Sequence, residues 1–357
     1  MTLLSSTTKP RLMKAALNTL YYPQLYRLLQ PGWQGVGAVF TLHHVSKTPT
    51  DSSAFAPNRI LDITADFLDQ TLTLVRQSGY DIITLDEVRR RLVEKDFSRK
   101  FVSFTLDDGY LDNYLNAYPV FRKHNAPFTI YVATAFPNGD AILWWELLER
   151  IIAGQNRIDI DLDGHPQVFE TTSTIAKYQA WDTIYKQLRK MPEQQQRAMI
   201  GVLAKQYGMD AHQHCVEHSM DWEILQTLAN DDLVTIGAHT INHFALRKLP
   251  ADKVIEEALN SRDELERRLG KKPRHFSYPY GDPGSAGPRE FEIIEALGFD
   301  TATTTRKAML YPEHARHLTA LPRISLNGDY QSDHFTRLFL SGAPFALSNR
   351  FRKMNVS

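Results

Sequence analysis

The chain has 357 residues, 43% hydrophobic and 23% charged, the proportions of a soluble globular protein with enough apolar material for one large domain or two. Lysine plus arginine equals aspartate plus glutamate at 41 each, so there is no net charge that would draw in nucleic acid as a partner. Cys215 is the single cysteine, which excludes an intrachain disulfide and leads to the expectation of a reducing, cytoplasmic setting.

Residues 1–35 read as an N-terminal helical leader, with leucines and tyrosines gathered on one side of 10–29 and a bend at Pro23. Lys9, Arg11, Lys14 and Asn18 interrupt the apolar run of roughly 7–15 residues that a secretory signal needs. No stretch reaches the ~18 consecutive apolar residues of a membrane-spanning helix.

From residue 36 strand-like and helix-like patterns alternate. Short apolar runs at 37–45, 80–85 (Tyr-Asp-Ile-Ile-Thr-Leu), 101–109, 128–134, 233–240, 275–281 and 300–305 read as strands. Amphipathic stretches around 63–79, from Asp86, and around 112–124, 250–269 and 288–297 read as helices. Seven or so such strands argue for a parallel barrel or a doubly wound sheet, with chemistry at the strands' C-terminal ends. Residues 141–220 interrupt the pattern with an expected hairpin turning at Asp163-Gly164 and two helical stretches, an inserted α+β cap. The expected division is a barrel over 36–334 carrying that insertion, then a C-terminal helical tail over 335–357.

Two polar motifs end otherwise apolar strands, where burying charge without a partner is costly. Asp107 and Asp108 precede Gly109, which permits a tight turn. Adjacent carboxylates repel, so a shared site makes sense when a cation neutralises one and leaves the other to accept a proton. His239 and His243, four apart, would share one helical face and could grip one metal together with Asp108. A third motif, from Phe276 to Gly281, is aromatic around Pro279 and reads as a wall for a flat substrate, with Tyr278 and Pro279 as contacts. Trp144 and Trp145 open the insertion, and Trp145 is expected to line a saccharide cleft. His212, His214, Cys215 and His218 crowd together, but their spacing matches no closed zinc site.

In this order the motifs Thr-Leu-Asp-Asp-Gly, His-Thr-Ile-Asn-His and Ser-Tyr-Pro-Tyr-Gly resemble those of the polysaccharide deacetylases of carbohydrate esterase family 4, the NodB homology domain. The resemblance covers roughly 37–326 and implies a distorted barrel of the (β/α)7 type. It implies Asp107 as general base and Asp108, His239 and His243 as ligands of one divalent ion, usually zinc. It further implies that the backbone N–H of Tyr280 stabilises the oxyanion, and that the reaction is N-deacetylation of an N-acetylhexosamine in a bacterial glycan or a lipid-linked precursor. Deformylation of a related sugar and a silent carbohydrate-binding module are the alternatives.

The chain departs from the family pattern twice. Ser277 stands where an arginine commonly orients the base, and the stretch 321–326 lacks the histidine that commonly serves as general acid. Arg323 is therefore expected to hold Asp107, since a guanidinium grips a carboxylate by two hydrogen bonds. His44, beside His43 at the end of the first strand, is the expected acid. The basic, apolar helices at both chain ends lead to the further expectation of peripheral contact with the inner face of a membrane. Oligomeric state is left open.

Overall fold

The structure is a computed structural model that describes residues 8–51, 54–162 and 164–356. Residues 1–7 of the expected leader, Asp163 of the expected hairpin turn and Ser357 lie outside the described residues.

The core is a curled sheet of seven parallel strands. Its order runs Thr301–Thr303, His275–Ser277, Val234–Ala238, Phe128–Val132, Phe101–Leu106, Gly37–Leu42 and Ile324–Ser325. The 37–42, 101–106 and 128–132 strands are buried along their whole length, which explains why they read as continuous apolar runs rather than alternating ones. Leu321 joins the two ends of the sheet: its N–H donates to Ala302 O at 2.9 Å and its carbonyl accepts from Thr304 N at 2.9 Å. The sheet thus curls as a barrel does, one of the two architectures that the alternation of elements admits and the one that the family resemblance implies.

One strand differs from expectation. The run after Gly79 yields only Asp81–Ile82, which pairs with the start of 101–106 and stands off the main ring. Its place is taken by Ile324–Ser325, paired with the first strand through Phe40 and Thr41. Two residues behind a proline are too short for periodicity to reveal. Helices cover the outside, several of them started by side-chain caps: Thr64 accepts from Phe67 N, and Thr84 from Glu87 N.

Above the strands' C-terminal ends sits a second apolar cluster. The helix Trp144–Gly154, the hairpin pairing Arg157–Asp161 with Pro166–Glu170, and the helices Thr174–Leu188, Glu193–Gln206 and Ala211–His218 enclose Leu148, Ile184, Leu203 and Cys215. Tyr110, Ala133 and Phe136 from the barrel end belong to the same cluster, so apolar burial seats this region on the barrel. Both termini are helical: Thr8–Tyr21 and Tyr26–Trp33 break around Pro23, and Asp333–Leu340 and Ala343–Ser348 pack against them.

Candidate active site and metal centre

Strand register builds the site. Thr41 lies beside Thr105 and, on its other side, beside Ser325. Side chains alternate along a strand, so two residues past this level His43 and Asp107 emerge on the same face, with His43 Nε2 4.0 Å from Asp107 Oδ2. Arg323, two residues before Ser325, points into the same space. These side chains floor a cavity of about 560 Å³.

Asp107 is gripped by Arg323, whose Nη1 donates to Oδ1 and Nη2 to Oδ2, each at 2.6 Å. Arg323 is completely buried, and Thr304 O, Thr105 Oγ1 and Ser277 Oγ take its other N–H groups at 3.0–3.1 Å. Every direction of the guanidinium fork is therefore used. Burial acts to raise the Asp107 pKa, but Arg323 outweighs it and holds the carboxyl below the usual carboxylate range. Ser277, small and hydroxylated, leaves room for this guanidinium and donates to Asp107 Oδ2 at 3.4 Å.

The neighbouring carboxylate faces a different set. Asp108 Oδ1 lies 3.3 Å from His239 Nε2 and 3.1 Å from His243 Nε2. His239 Nδ1 donates to Ser277 O at 2.7 Å, and because a carbonyl only accepts, the neutral ring turns its Nε2 lone pair toward Asp108. Asp108 Oδ1 and His243 Nδ1 are buried without a hydrogen-bond partner among the described residues. Lone pairs face each other here, and a divalent cation among them removes the repulsion; the one-oxygen, two-nitrogen donor set suits zinc and similar ions. Burial works against Asp108 ionising, and its pKa is held well down only where His243 and His239 present positive charge or an N–H to it; with both rings neutral, that part falls to a bound cation. Burial likewise keeps His243 below its ordinary 6.5, in the neutral form a ligand needs.

The two histidines do not share a helical face as expected: residues 239–245 form no helix. The loop turns through left-handed backbone at Thr240 (φ 68°) and His243 (φ 55°), and Asp108 (φ 77°) and Tyr280 (φ 61°) adopt the same region at the facing strand ends. Such conformations are costly for residues with a Cβ and persist where surrounding contacts impose them. Glu257, on the helix Ala251–Leu269, is one source of that imposition. Its carboxylate accepts from Ile241 N at 2.9 Å, Asn242 N at 3.0 Å and Asn242 Nδ2 at 2.6 Å. Arg197 of the cap adds a hydrogen bond from Nη2 to His243 O at 3.0 Å.

Comparison with known proteins places this arrangement. The family model described as polysaccharide deacetylase matches residues 94–198 and 178–302, more than half of the chain. The chain belongs to the polysaccharide deacetylase family. A Bacillus subtilis (strain 168) protein named as a polysaccharide deacetylase, YxkH, is 41% identical over 59 residues; these are 16% of this chain and 21% of that protein, so the chain spans about a fifth of this relative. Among solved structures, the Streptococcus pyogenes deacetylase PplD, in complex with acetate, aligns over 85% of this chain and 97% of its own at 17% identity and a TM-score of 0.55. IcaB from Ammonifex degensii aligns over the same shares at 20% identity and a TM-score of 0.51. At these identities the likeness is one of fold.

Other expected residues of this deacetylase-family chain fall in and out of the cavity. Trp145 lines it, its ring 5.0 Å from that of His243, and Tyr280 lines it with its hydroxyl accepting from Trp144 Nε1 at 2.8 Å. The Tyr280 N–H meets no hydrogen-bond acceptor among the described residues. Tyr278 and Pro279 do not form the expected wall. Both are buried outside the cavity lining, and Tyr278 donates its hydroxyl to Thr319 O at 2.9 Å and packs on Phe276 and Phe291. The alternation that brings Ser277 to the site sends Tyr278 into the core.

His44 is corrected for the same reason. It leaves the strand on the face opposite His43 and lines a separate cavity of about 280 Å³. There His44 Nδ1 meets Asp112 Oδ2 at 2.7 Å and Nε2 lies 3.3 Å from Glu146 Oε1. Burial disfavours the charged ring, yet Asp112 and Glu146 raise its pKa well above the ordinary value. Glu146 continues to His214 Nε2 at 2.9 Å, with His218 within 4.8 Å, a grouping that sequence spacing did not reveal because Glu146 is far from both in the chain. Arg150 Nη1 donates to His214 Nδ1 at 2.9 Å, so Nε2 carries the proton that Glu146 accepts. The hydrogen bonds of His214 are thus satisfied by protein groups without an ion. Cys215 is apart from this group, buried in the cap cluster.

Three outcomes follow. Arg323→Ala, which strips a buried carboxylate of its counter-charge, lowers stability to unfolding by about 3–5 kcal/mol, and Arg323→Lys recovers part of that; a loss below about 1 kcal/mol in denaturant titration would contradict the pairing. Glu257→Gln weakens zinc or cobalt affinity about 10–100-fold, measured by calorimetric titration, and unchanged affinity would remove Glu257 from the ligand support. The raised His44 pKa contributes stability that is fully present below the ordinary 6.5 and lost as pH rises through the folded value. The gap in melting temperature between wild type and His44→Gln therefore narrows with rising pH; a widening gap would be the wrong sign.

Proposed function

We propose that the chain hydrolyses the N-acetyl group of N-acetylhexosamine units in a bacterial poly- or oligosaccharide or a lipid-linked glycan precursor. The observation that carries this reading is the division of labour between adjacent carboxylates: Asp107 is held ionised by Arg323, while Asp108 joins His239 and His243 in a donor set for one divalent ion. Family membership and the names of the relatives support it. Most simply zinc, the ion when bound would polarise the acetamide carbonyl and favour ionisation of water.

The chain's own residues supply the rest. Asp107, ionised and aimed into the cavity, accepts the proton of the attacking water. The N–H of Tyr280, free of other acceptors, is turned by left-handed backbone and donates to the oxygen that gains negative charge when water adds to the carbonyl carbon. The C–N bond then breaks, the amine nitrogen takes a proton, and acetate and a free amino sugar leave. We assign that delivery to His43 rather than His44. Burial keeps the free His43 ring neutral, so the proton that Asp107 takes from water passes to His43, whose Nε2 lies 4.0 Å from Asp107 Oδ2 in the same cavity, and from there to the amine nitrogen. Trp145, Trp181, Tyr185 and Tyr280 offer aromatic faces on which a pyranose ring stacks, within a volume suited to saccharide units.

A reducing, cytoplasmic setting is the accompanying proposal, supported by a lone buried cysteine. No helix among the described residues is long and apolar enough to cross a membrane.

Acetate release from a panel of N-acetylated oligosaccharides tests the reading. Asp107→Asn lowers kcat/KM by roughly 10²–10⁴-fold with metal content unchanged, and chelation abolishes turnover until zinc is restored. Formate release from a formamido sugar in preference to acetate would replace the substrate; turnover retained by Asp107→Asn would remove the base.

A further inference from the structure

Seven of the fifteen large apolar side chains exposed on the described surface lie on the two terminal segments, 8–33 and 343–356. Leu28, on the helix Tyr26–Trp33, is 80% exposed, and Tyr22, in the break before it, 68%; Leu12 and Met13 on Thr8–Tyr21, Leu25 in the break and Leu347 on Ala343–Ser348 are exposed as well. Scattered exposed apolar residues need no explanation, but a concentration of this kind does.

The segments are contiguous in space. The helix Tyr26–Trp33 packs on Ala343–Ser348, and Thr8–Tyr21 on Asp333–Leu340. Tyr21 stacks on Tyr26 at 5.5 Å, and Trp33 meets Phe351 at 5.6 Å. Arg350 (φ 53°) and Phe351 (φ 60°) are two consecutive non-glycine residues in left-handed backbone, a costly turn that leaves the Phe351 ring 57% exposed. The core gains little from a phenylalanine held that way.

Charge distinguishes among occupants. The sequence of the two segments contains seven lysines and arginines and no aspartate or glutamate, although the whole chain is balanced. Lys14, Arg27, Arg350, Arg352 and Lys353 are exposed among the apolar residues. A second copy docking through this face would set cations against cations. A nucleic-acid backbone would use the charges and leave the leucines without a role. Aliphatic and aromatic side chains interleaved with lysine and arginine match the boundary between acyl chains and anionic headgroups.

We propose that the face formed by the two terminal helical segments docks on the surface of an anionic lipid bilayer. The helix Thr8–Tyr21 packs on the turn Gly328–Tyr330, which packs on Pro57–Leu61, and Pro57, Asn58, Ile60 and Leu61 line the catalytic cavity. The docking face therefore connects to the cavity wall through a single intervening turn. It is independent of the hydrolytic reading, and its test needs no substrate.

The full chain is co-sedimented with vesicles of phosphatidylcholine mixed with phosphatidylglycerol and with vesicles of phosphatidylcholine alone. Binding is expected to the anionic vesicles, weakening as salt is raised. Leu25→Asp/Leu28→Asp, both exposed positions, is expected to reduce binding at least tenfold with an unchanged unfolding midpoint. Arg350→Ala/Arg352→Ala/Lys353→Ala is expected to reduce it on the order of a hundredfold, about fivefold per charge. Equal binding to both vesicle types, no binding to either, or full binding by the leucine double variant would overturn the proposal. So would light scattering that shows a dimer which the double variant dissociates without any vesicle binding, since a second copy would then be the occupant.

Discussion

Two carboxylates adjacent in the chain and both buried are the constraint on which the rest of this structure depends. Each needs its own compensation, and the two solutions differ in kind. Asp107 receives a fixed guanidinium with every N–H accounted for, while Asp108 receives two imidazoles that with it form a candidate donor set for a divalent ion. Placing Arg323 beneath Asp107 requires the last short strand to pair with the first, and the same segment joins the ends of the sheet through Leu321. Closing the barrel and setting the charge state of Asp107 are thus one structural event. Ser277 fits this solution: at a position where a long basic side chain would collide with Arg323, it contributes a small hydroxyl that bonds to both members of the pair.

Strain around the site has identifiable sources of restraint. Asp108 itself and three residues around it, Thr240, His243 and Tyr280, hold left-handed backbone, and the loop bearing both histidines is held by Glu257 from outside the barrel and by Arg197 from the cap. The cap is also tied to the barrel through charge. His44 bridges Asp112 on one side and Glu146 on the other, so a histidine one residue from the catalytic cavity holds down the region that supplies the cavity's aromatic walls. Its raised pKa reflects that bridging role.

Much of this was legible from the amino-acid order. The apolar runs pointed to a parallel sheet, as a barrel or doubly wound, because strands covered on both faces must be continuously hydrophobic, and the family resemblance implied the barrel. Asp107, Asp108, His239 and His243 stood out because they end such runs, and Arg323 because Ser277 left a carboxylate without its usual partner. What was not legible depends on register. Choosing between His43 and His44, or between Tyr278 and Tyr280, requires knowing which face each strand residue takes, and a one-residue uncertainty inverts the answer. The histidine spacing indicated helix where the chain forms a strained loop, since four residues of loop can bring imidazoles together as well as a helical turn can. Glu257 and Glu146 were invisible because each acts on residues distant in sequence and neither lies in a motif.

The measurement that bears most directly on the division between the two carboxylates is a crystal structure of the chain grown with zinc, with the ion located by anomalous scattering. The ion should be bound by an oxygen of Asp108 and by Nε2 of His239 and His243, with Asp107 uncoordinated and still gripped by both Nη atoms of Arg323. An ion held by Asp107, or found only at Glu146, His214 and His218, would contradict it.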